Sequence, residues 1–423
     1  METKKKAGSL PATTATNLNN QGANISQKVE QVNRSTNKLV IEKSNGNLIE
    51  LVESFIQDNY HLRYNTVTNS VEYRTSENED FQPVNENNIY RTLRKNNFKI
   101  SMSDLTAILG SDFVEQHDPI EEYFKTLPKW DGKDYIRQLV SYVGTSDPQR
   151  FAYHLQKHLV RTVACALDPN YFNKHAFIIV GYQQNSGKST FIRWLVPEQL
   201  ADYLNENFST DKDGQIALSE NFIINLDELA TLDKADINKL KSIFSRDRVK
   251  VRHPFGRKAI TTPRRASFFG STNDSQFLTD ETGSVRWLCF EISSIDWGYS
   301  SDIDVNMIWG QAFALYKKPG FKYQLNKEDI LENEDRNRQF QRSNPELEAI
   351  NMHYAPGNED SIFMTAFEIG EELKIWHPSS RFSHHRIGKV LIQLGFQRDI
   401  RRHEVKGKSN PVYGYWVLRK PNI

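Results

Sequence analysis

The chain has 423 residues, enough to bury two or three hydrophobic cores, and its 38% hydrophobic content and mean hydropathy of −0.64 describe a soluble protein. No apolar run approaches the ~20 residues of a membrane span, and the charged start Met1-Glu2-Thr3-Lys4-Lys5-Lys6 has no apolar segment behind it, which excludes a secretion signal. A net charge of +1 does not by itself suggest a nucleic-acid binder; the two cysteines, Cys165 and Cys289, lie in apolar surroundings like core residues of a reducing, cytoplasmic compartment, and no Cys/His zinc pattern exists.

Residues 1–36 are rich in Asn, Ser, Thr and Gln and carry almost no large apolar groups, so they are predicted to be a disordered tail. Residues 37–115 predict a small α+β domain, compatible with a winged-helix-like module. It has a helix over 48–56, a hairpin pairing 61–65 with 71–74, and helices over 88–93 and 103–109. Asp118-Pro119 marks a boundary. Apolar residues at helical spacing over 135–167 then predict a helical collar across 116–170, either an oligomerising element or an extension of the next domain.

Residues 171–325 hold the densest information. The apolar run Ala176-Phe177-Ile178-Ile179-Val180 leads into Gly181-Tyr182-Gln183-Gln184-Asn185-Ser186-Gly187-Lys188-Ser189-Thr190 and then Phe191-Ile192-Arg193-Trp194-Leu195. Buried strand, polar glycine-bearing turn and amphipathic helix are the parts of a nucleotide-phosphate cradle, with ATP as the expected ligand. Backbone N–H groups across Gly181 and Asn185 to Thr190 face the phosphates, Lys188 reaches the β/γ oxygens, and Ser189 holds Mg²⁺. The strict pattern G-x-x-x-x-G-K-[ST] requires glycine at 182, where Tyr182 stands, with glycine one place earlier. A second strand-like run, Phe222-Ile223-Ile224-Asn225-Leu226, ends in Asp227-Glu228. Asp227 is expected to coordinate Mg²⁺ through water, and Glu228 to orient and deprotonate the attacking water, because phosphoryl transfer is mostly positioning and charge neutralisation. A third run, Ala266-Ser267-Phe268-Phe269-Gly270-Ser271-Thr272, ends in Asn273, a candidate for the γ-phosphate or the lytic water. Thr282-Gly283-Ser284-Val285-Arg286-Trp287 offers Arg286 as a charge-stabilising finger.

The charged residues 326–357 read as a linker or exposed helix, and 358–423 as a winged-helix DNA-binding domain. Its helix over 363–373 is followed by a recognition helix over 383–394, capped by Ser383 and stopped at Gly395, and by a hairpin of 396–400 with 413–418 around a polar turn. Arg386 and Lys389 on that helix, Arg401 and Arg402, and Lys406 and Lys408 on the wing are the candidate DNA contacts. His384 and His385 have no further ligands spaced to complete a metal site, and read as DNA contacts or plain surface. Positive charge is concentrated. Residues 246–265 hold eight basic residues against one acidic, and 381–423 hold ten against two, which points to polyanion contact at two places.

The order of these motifs resembles the virulence-associated protein E family, which is related to superfamily 3 helicases and occurs in phages and mobile islands. Arg252-His253-Pro254-Phe255-Gly256-Arg257 matches that family's R-x-P-[FY]-G-R element, and Arg264-Arg265-Ala266-Ser267-Phe268 its approach to the third strand. Ile120, Tyr123-Phe124 and Leu127-Pro128-Lys129-Trp130-Asp131-Gly132 resemble its N-terminal flank, so the likeness covers roughly 118–295. It implies an α/β fold with a P-loop αβα ATPase core of the superfamily 3/AAA+-like kind, in a bacterial cytoplasm.

The function expected is an ATP-driven DNA helicase or replication-initiation ATPase acting as a ring, a hexamer in this family's manner, with Arg286 reaching a neighbour's γ-phosphate. The hairpin over 249–262 would enter the channel and contact single strands through Arg252, His253, Phe255, Arg257 and Lys258. Duplex would bind through the C-terminal domain. Two rivals stand beside it: an initiator that uses ATP only as an assembly switch, and a small-molecule phosphotransferase, disfavoured by Glu228 and the basic surfaces. A separate primase is a candidate partner, because there is no convincing D-x-D strand pair and the first 115 residues are too few for a fused primase.

Overall fold

The computed structural model describes residues 47–421 apart from 77, 228, 230–233, 252–258, 279–283, 342–343 and 406–407; for 78–79, 234–236, 238, 251, 403–405 and 408–410 it describes the backbone alone. The expected tail 1–36 lies outside the described residues. Two compact units divide between Pro119 and Ile120.

The first unit runs α1 (Leu48–Asn59), β1 (His61–Asn65), β2 (Ser70–Thr75), β3 (Asn78–Pro83), α2 (Glu86–Lys95), α3 (Met102–Leu109) and β4 (Gln116–His117). Each helix begins where a side chain can satisfy a free N–H: Asn47 for α1, Asn85 for α2, and a reciprocal Ser101/Asp104 capping box for α3. Val52 and Ile56 of α1 meet Ile89, Leu93, Leu105 and Ile108 in one core. The strands form one sheet in the order β3-β2-β1-β4, in which β1 and β4 run parallel. Strand β3 was not anticipated, since Asn78-Glu79-Asp80-Phe81-Gln82-Pro83 has no apolar alternation to announce it.

The boundary falls after the first residue of α4 (Pro119–Thr126), and the second unit goes on with α5 (Tyr135–Val140), β5 (Val143–Gly144) and α6 (Pro148–Leu167). It continues with β6 (Ala176–Val180), α7 (Lys188–Trp194), β7 (Leu204–Asn205), α8 (Lys212–Glu220), β8 (Ile223–Leu226) and α9 (Lys234–Phe244). Next come β9 (Arg248–Val251), β10 (Ile260–Pro263), β11 (Ser267–Thr272), β12 (Trp287–Glu291), β13 (Ser294–Ile295), α10 (Tyr299–Asp302), α11 (Val305–Lys317) and α12 (Lys327–Asn337). The chain closes with α13 (Pro345–His353), β14 (Tyr354–Pro356), β15 (Ile362–Met364), α14 (Ala366–Trp376), α15 (His384–Gln393), β16 (Arg398–Val405) and β17 (Lys408–Arg419).

At the centre is a five-stranded sheet, order β12-β6-β11-β8-β7, in which every pairing is parallel. Parallel strands need both faces covered, and this is why β6, β8 and β11 are wholly buried. Helix α6 supplies part of that cover. Phe151 lies 5.2 Å, centroid to centroid, from Phe290 and 5.4 Å from Phe177, and His158 Nε2 donates to the Phe268 carbonyl at 3.1 Å. Of the two readings of this stretch, an oligomerising element or an extension of the next domain, the packing of this helix fits the second. It is a layer of the sheet domain.

Within the expected linker or exposed helix of 326–357, residues 327–337 form a helix with a buried polar face. Helix α12 lies along the edge strand β12 and caps the carbonyls that no neighbouring strand receives. Asn333 Nδ2 donates to Trp287 O at 2.9 Å, Asn337 Nδ2 to the same oxygen at 2.8 Å, and Arg336 Nε to Cys289 O at 3.1 Å. Its Asp329 forms a buried ion pair with Lys157 at 2.7 Å. The polar composition that read as a linker is a buried polar face.

Strands β9 and β10 form the expected antiparallel hairpin, anchored by Val249 in the core, while its tip, with Arg252, His253, Phe255, Arg257 and Lys258, lies outside the described residues. Arg264 leaves the proposed basic surface altogether: it is buried and donates to the carbonyls of Ala266, Phe244 and Asn173. In the C-terminal part, α15 turns Ile387, Val390 and Leu391 into a core with Ile369, Leu373 and Val417. Strands β16 and β17 are longer than expected, pairing as far as Val405 with Lys408, and Arg402 pairs with Pro411.

Candidate functional site at the carboxyl ends of the sheet

Because β6, β11 and β8 are adjacent and parallel, the loops after them open on one edge of the sheet, where α/β folds place their ligands. The loop between β6 and α7 is wound through two left-handed residues, Asn185 (φ 57°) and Gly187 (φ 84°). Tyr182 needs no left-handed backbone and stands 59% exposed, so the missing glycine at 182 asks nothing of the loop. Asn185 takes the strained position instead, as asparagine can.

Lys188 begins α7 and is 6% exposed. Its ammonium donates to Gly181 O, Gln183 O and Ser186 Oγ, each at 3.0 Å, and to Asn273 Oδ1 at 2.6 Å. Burial holds its pKa below the ordinary lysine value, with Asp227 pulling the other way. One residue on, Ser189 Oγ donates to Asp227 Oδ1 at 2.7 Å, and Ser271 Oγ donates to the same oxygen at 2.6 Å. Residues 184–190, Arg193, Asp227, 271–273 and Trp297 line a cavity of about 450 Å³. This falls within the usual range of ligand sites. Gly181 contributes its carbonyl from behind the cavity, while Asn185, Ser186, Gly187, Ser189 and Thr190 face it.

Other anticipated residues fall elsewhere. Glu228 lies outside the described residues. Arg286 does not line the cavity of its own chain; its Nε donates to Ser245 Oγ at 3.1 Å. Arg386 and Lys389 are exposed on α15, as are Arg401 and Arg402 on β16, with the Arg401 guanidinium 4.3 Å over the Trp416 ring. Lys406 lies outside the described residues, and of Lys408 only the strand backbone is described. His384 packs its ring on Phe367, and among the described residues no cluster of His, Cys, Asp or Glu is placed to hold a metal.

Sequence reasoning missed three contributors. Ser271 sits in the polar end of β11, where only Asn273 drew notice. Arg193 follows Lys188 by more than a helical turn and is held by Glu206, which also accepts from Asn225 Nδ2 at 3.1 Å. Trp297 comes from a distant segment, and no local signal connects it to the loop.

The fold and site together define an α/β protein with a caged lysine at the carboxyl ends of a parallel sheet. Residues 124–342, just over half the chain, match the Virulence-associated protein E-like domain, and the chain belongs to that family. The apo structure of the NrS-1 C-terminal region (305–718) aligns with 89% of this chain and 100% of that one, at 10% identity and a TM-score of 0.51. The A form apo structure of the same region aligns with 88% and 100%, at 13% identity and a TM-score of 0.48. Comparison with curated proteins found no match. Among the described residues no helix is long and apolar enough to cross a membrane.

Proposed function

We propose that this chain is a phage or mobile-element replication protein, an ATP-driven DNA motor built on a P-loop ATPase core of the superfamily 3 kind with a C-terminal winged helix. The observation that carries the reading is the convergence of Lys188, Ser189, Asp227 and Asn273 on one cavity. A desolvated ammonium surrounded by oxygen acceptors, beside a paired hydroxyl and carboxylate, suits a Mg²⁺-bound nucleoside triphosphate.

In this reading Lys188 would exchange loop carbonyls for β/γ-phosphate oxygens, and Ser189 and Asp227 are the residues that would hold Mg²⁺. Bound Mg²⁺ supplies charge neutralisation at the transferring phosphoryl group. Glu228 orients the attacking water and takes its proton. Asn273, already bonded to Lys188, reports the γ-phosphate to β11. Arg286, absent from its own cavity, serves the neighbouring subunit of a ring, a hexamer by family likeness. The β9–β10 hairpin carries Arg252, His253 and Phe255 toward single-stranded DNA, and α15 with the β16–β17 wing contacts duplex.

Strand displacement on a forked DNA, with wild-type chain and ATP, tests the motor reading. ATP-dependent assembly on DNA without displacement would replace it with an initiator that uses ATP as a switch. Mixing inactive R286A and K188A chains tests the finger. Restored ATP turnover is expected, because an R286A subunit keeps an intact Lys188 site for a wild-type finger. No restoration in mixed rings that demonstrably form places Arg286 in its own subunit.

A further inference from the structure

The cavity beside Lys188 has polar walls except for one indole. Trp297 is 51% exposed, whereas Trp287, Trp309 and Trp416 are at most 2% exposed. At the rim of a cavity whose other walls are polar, this half-exposed indole offers an apolar face that a flat ligand can cover.

The ring is held in place from both sides. Just before it, β13 pairs with β5, and Asp296 N donates to Tyr142 O at 2.8 Å; just after it, Gly298 N donates to Asp296 Oδ1 at 2.9 Å and Ser300 Oγ to Trp297 O at 3.0 Å. The indole lies nearly parallel to Tyr299, at 25° with centroids 6.5 Å apart. Tyr299 in turn is wedged edge-on against Phe191 (5.3 Å) and Trp194 (4.8 Å), both on the helix that Lys188 begins. The benzo edge of Trp297 touches Gly187 so closely that a Cβ there would sit 2.8 Å from Cη2 and Cζ2. Platform and phosphate loop are thus one packed unit.

We infer that Trp297 is the platform on which the base of a purine nucleoside triphosphate stacks. The inference rests on reading the cavity as a triphosphate site, and adds what fills its far side. A flat π-face adjoining a phosphate cradle matches a nucleotide, whose base and phosphates are joined within one molecule. A bicyclic base covers more of an indole than a pyrimidine does, and stacking alone does not distinguish adenine from guanine.

Calorimetric titration of the full chain with Mg²⁺ salts of ATP, GTP, CTP and inorganic tripolyphosphate tests this in wild type, W297A and W297F. Expected are tighter binding of ATP and GTP than of CTP or tripolyphosphate, and a loss of roughly tenfold or more in ATP and GTP affinity in W297A. Tripolyphosphate affinity should fall much less than ATP affinity in W297A, and W297F should keep most of the purine preference. Unchanged ATP affinity in W297A, or an equal loss for ATP and tripolyphosphate, overturns the platform while leaving the phosphate site standing. Wild-type chain that binds neither ATP nor tripolyphosphate overturns the triphosphate reading, and the platform with it.

Discussion

Buried side chains that titrate give this protein a residue-scale signature. His154 is fully buried, and neither ring nitrogen has a hydrogen-bond partner among the described residues. Desolvation, reinforced by Arg336 and Arg161, lowers its pKa to about 3. Burial also pushes His158 and His175 well below the ordinary histidine value. The sign follows from linkage. Above pH ~6.5 these histidines are neutral in both folded and unfolded chains, and their contribution to stability is complete. As pH falls below that, the unfolded chain binds protons that the native chain refuses, so stability drops until pH approaches the folded pKa near 3. Thermal unfolding at pH 7 and pH 5 should show a clear decrease in Tm at the lower pH, and H154F should make that dependence shallower by about one proton. Equal pH slopes for H154F and wild type would refute the assignment. At the same scale, motif spacing was enough to group Lys188, Ser189 and Asp227, and the structure brings them to one cavity. Asn185 was not legible as the left-handed pivot, since the motif directs attention to glycine at 182 and only φ reveals the substitution.

Elements were readable where apolar period and burial agree. The runs 176–180, 222–226 and 266–272 are buried throughout because parallel strands are covered on both faces, and all three appear in the sheet. Helix α12 was misread because its buried face is polar. Its Asn333, Arg336 and Asn337 serve edge-strand carbonyls, a role that no hydrophobic pattern announces. Asn333 is 0% exposed and also accepts from Arg336 Nη2 at 2.8 Å, so N333A removes one of the two amide donors to Trp287 O and the acceptor of Arg336 Nη2 together. Urea unfolding of N333A should show a loss of about 1–3 kcal/mol. A change below about 0.5 kcal/mol, the scale of surface substitutions, would mean that water replaces the amide and that α12 is a looser cover than its contacts indicate.

For the whole molecule, the family and the α/β class were visible in motif order, whereas Trp297 and the β3 edge depend on tertiary placement. If the basic residues of α15 and the β16–β17 hairpin contact duplex as proposed, that binding should weaken steeply with salt, because each neutralised phosphate releases counterions. Removing residues 358–423 should therefore reduce duplex affinity more than single-strand affinity, measured by fluorescence anisotropy at two salt concentrations. Unchanged duplex affinity would exclude the C-terminal part as the duplex contact. The central claim is that Lys188 and its neighbours form the engine of a DNA-coupled ATPase, and the most direct measurement is steady-state ATP hydrolysis with and without DNA in wild type and K188A. Turnover that DNA stimulates in wild type and that falls to background in K188A is the predicted result. Turnover indifferent to K188A, or a wild-type chain that hydrolyses no ATP even with DNA present, would contradict it.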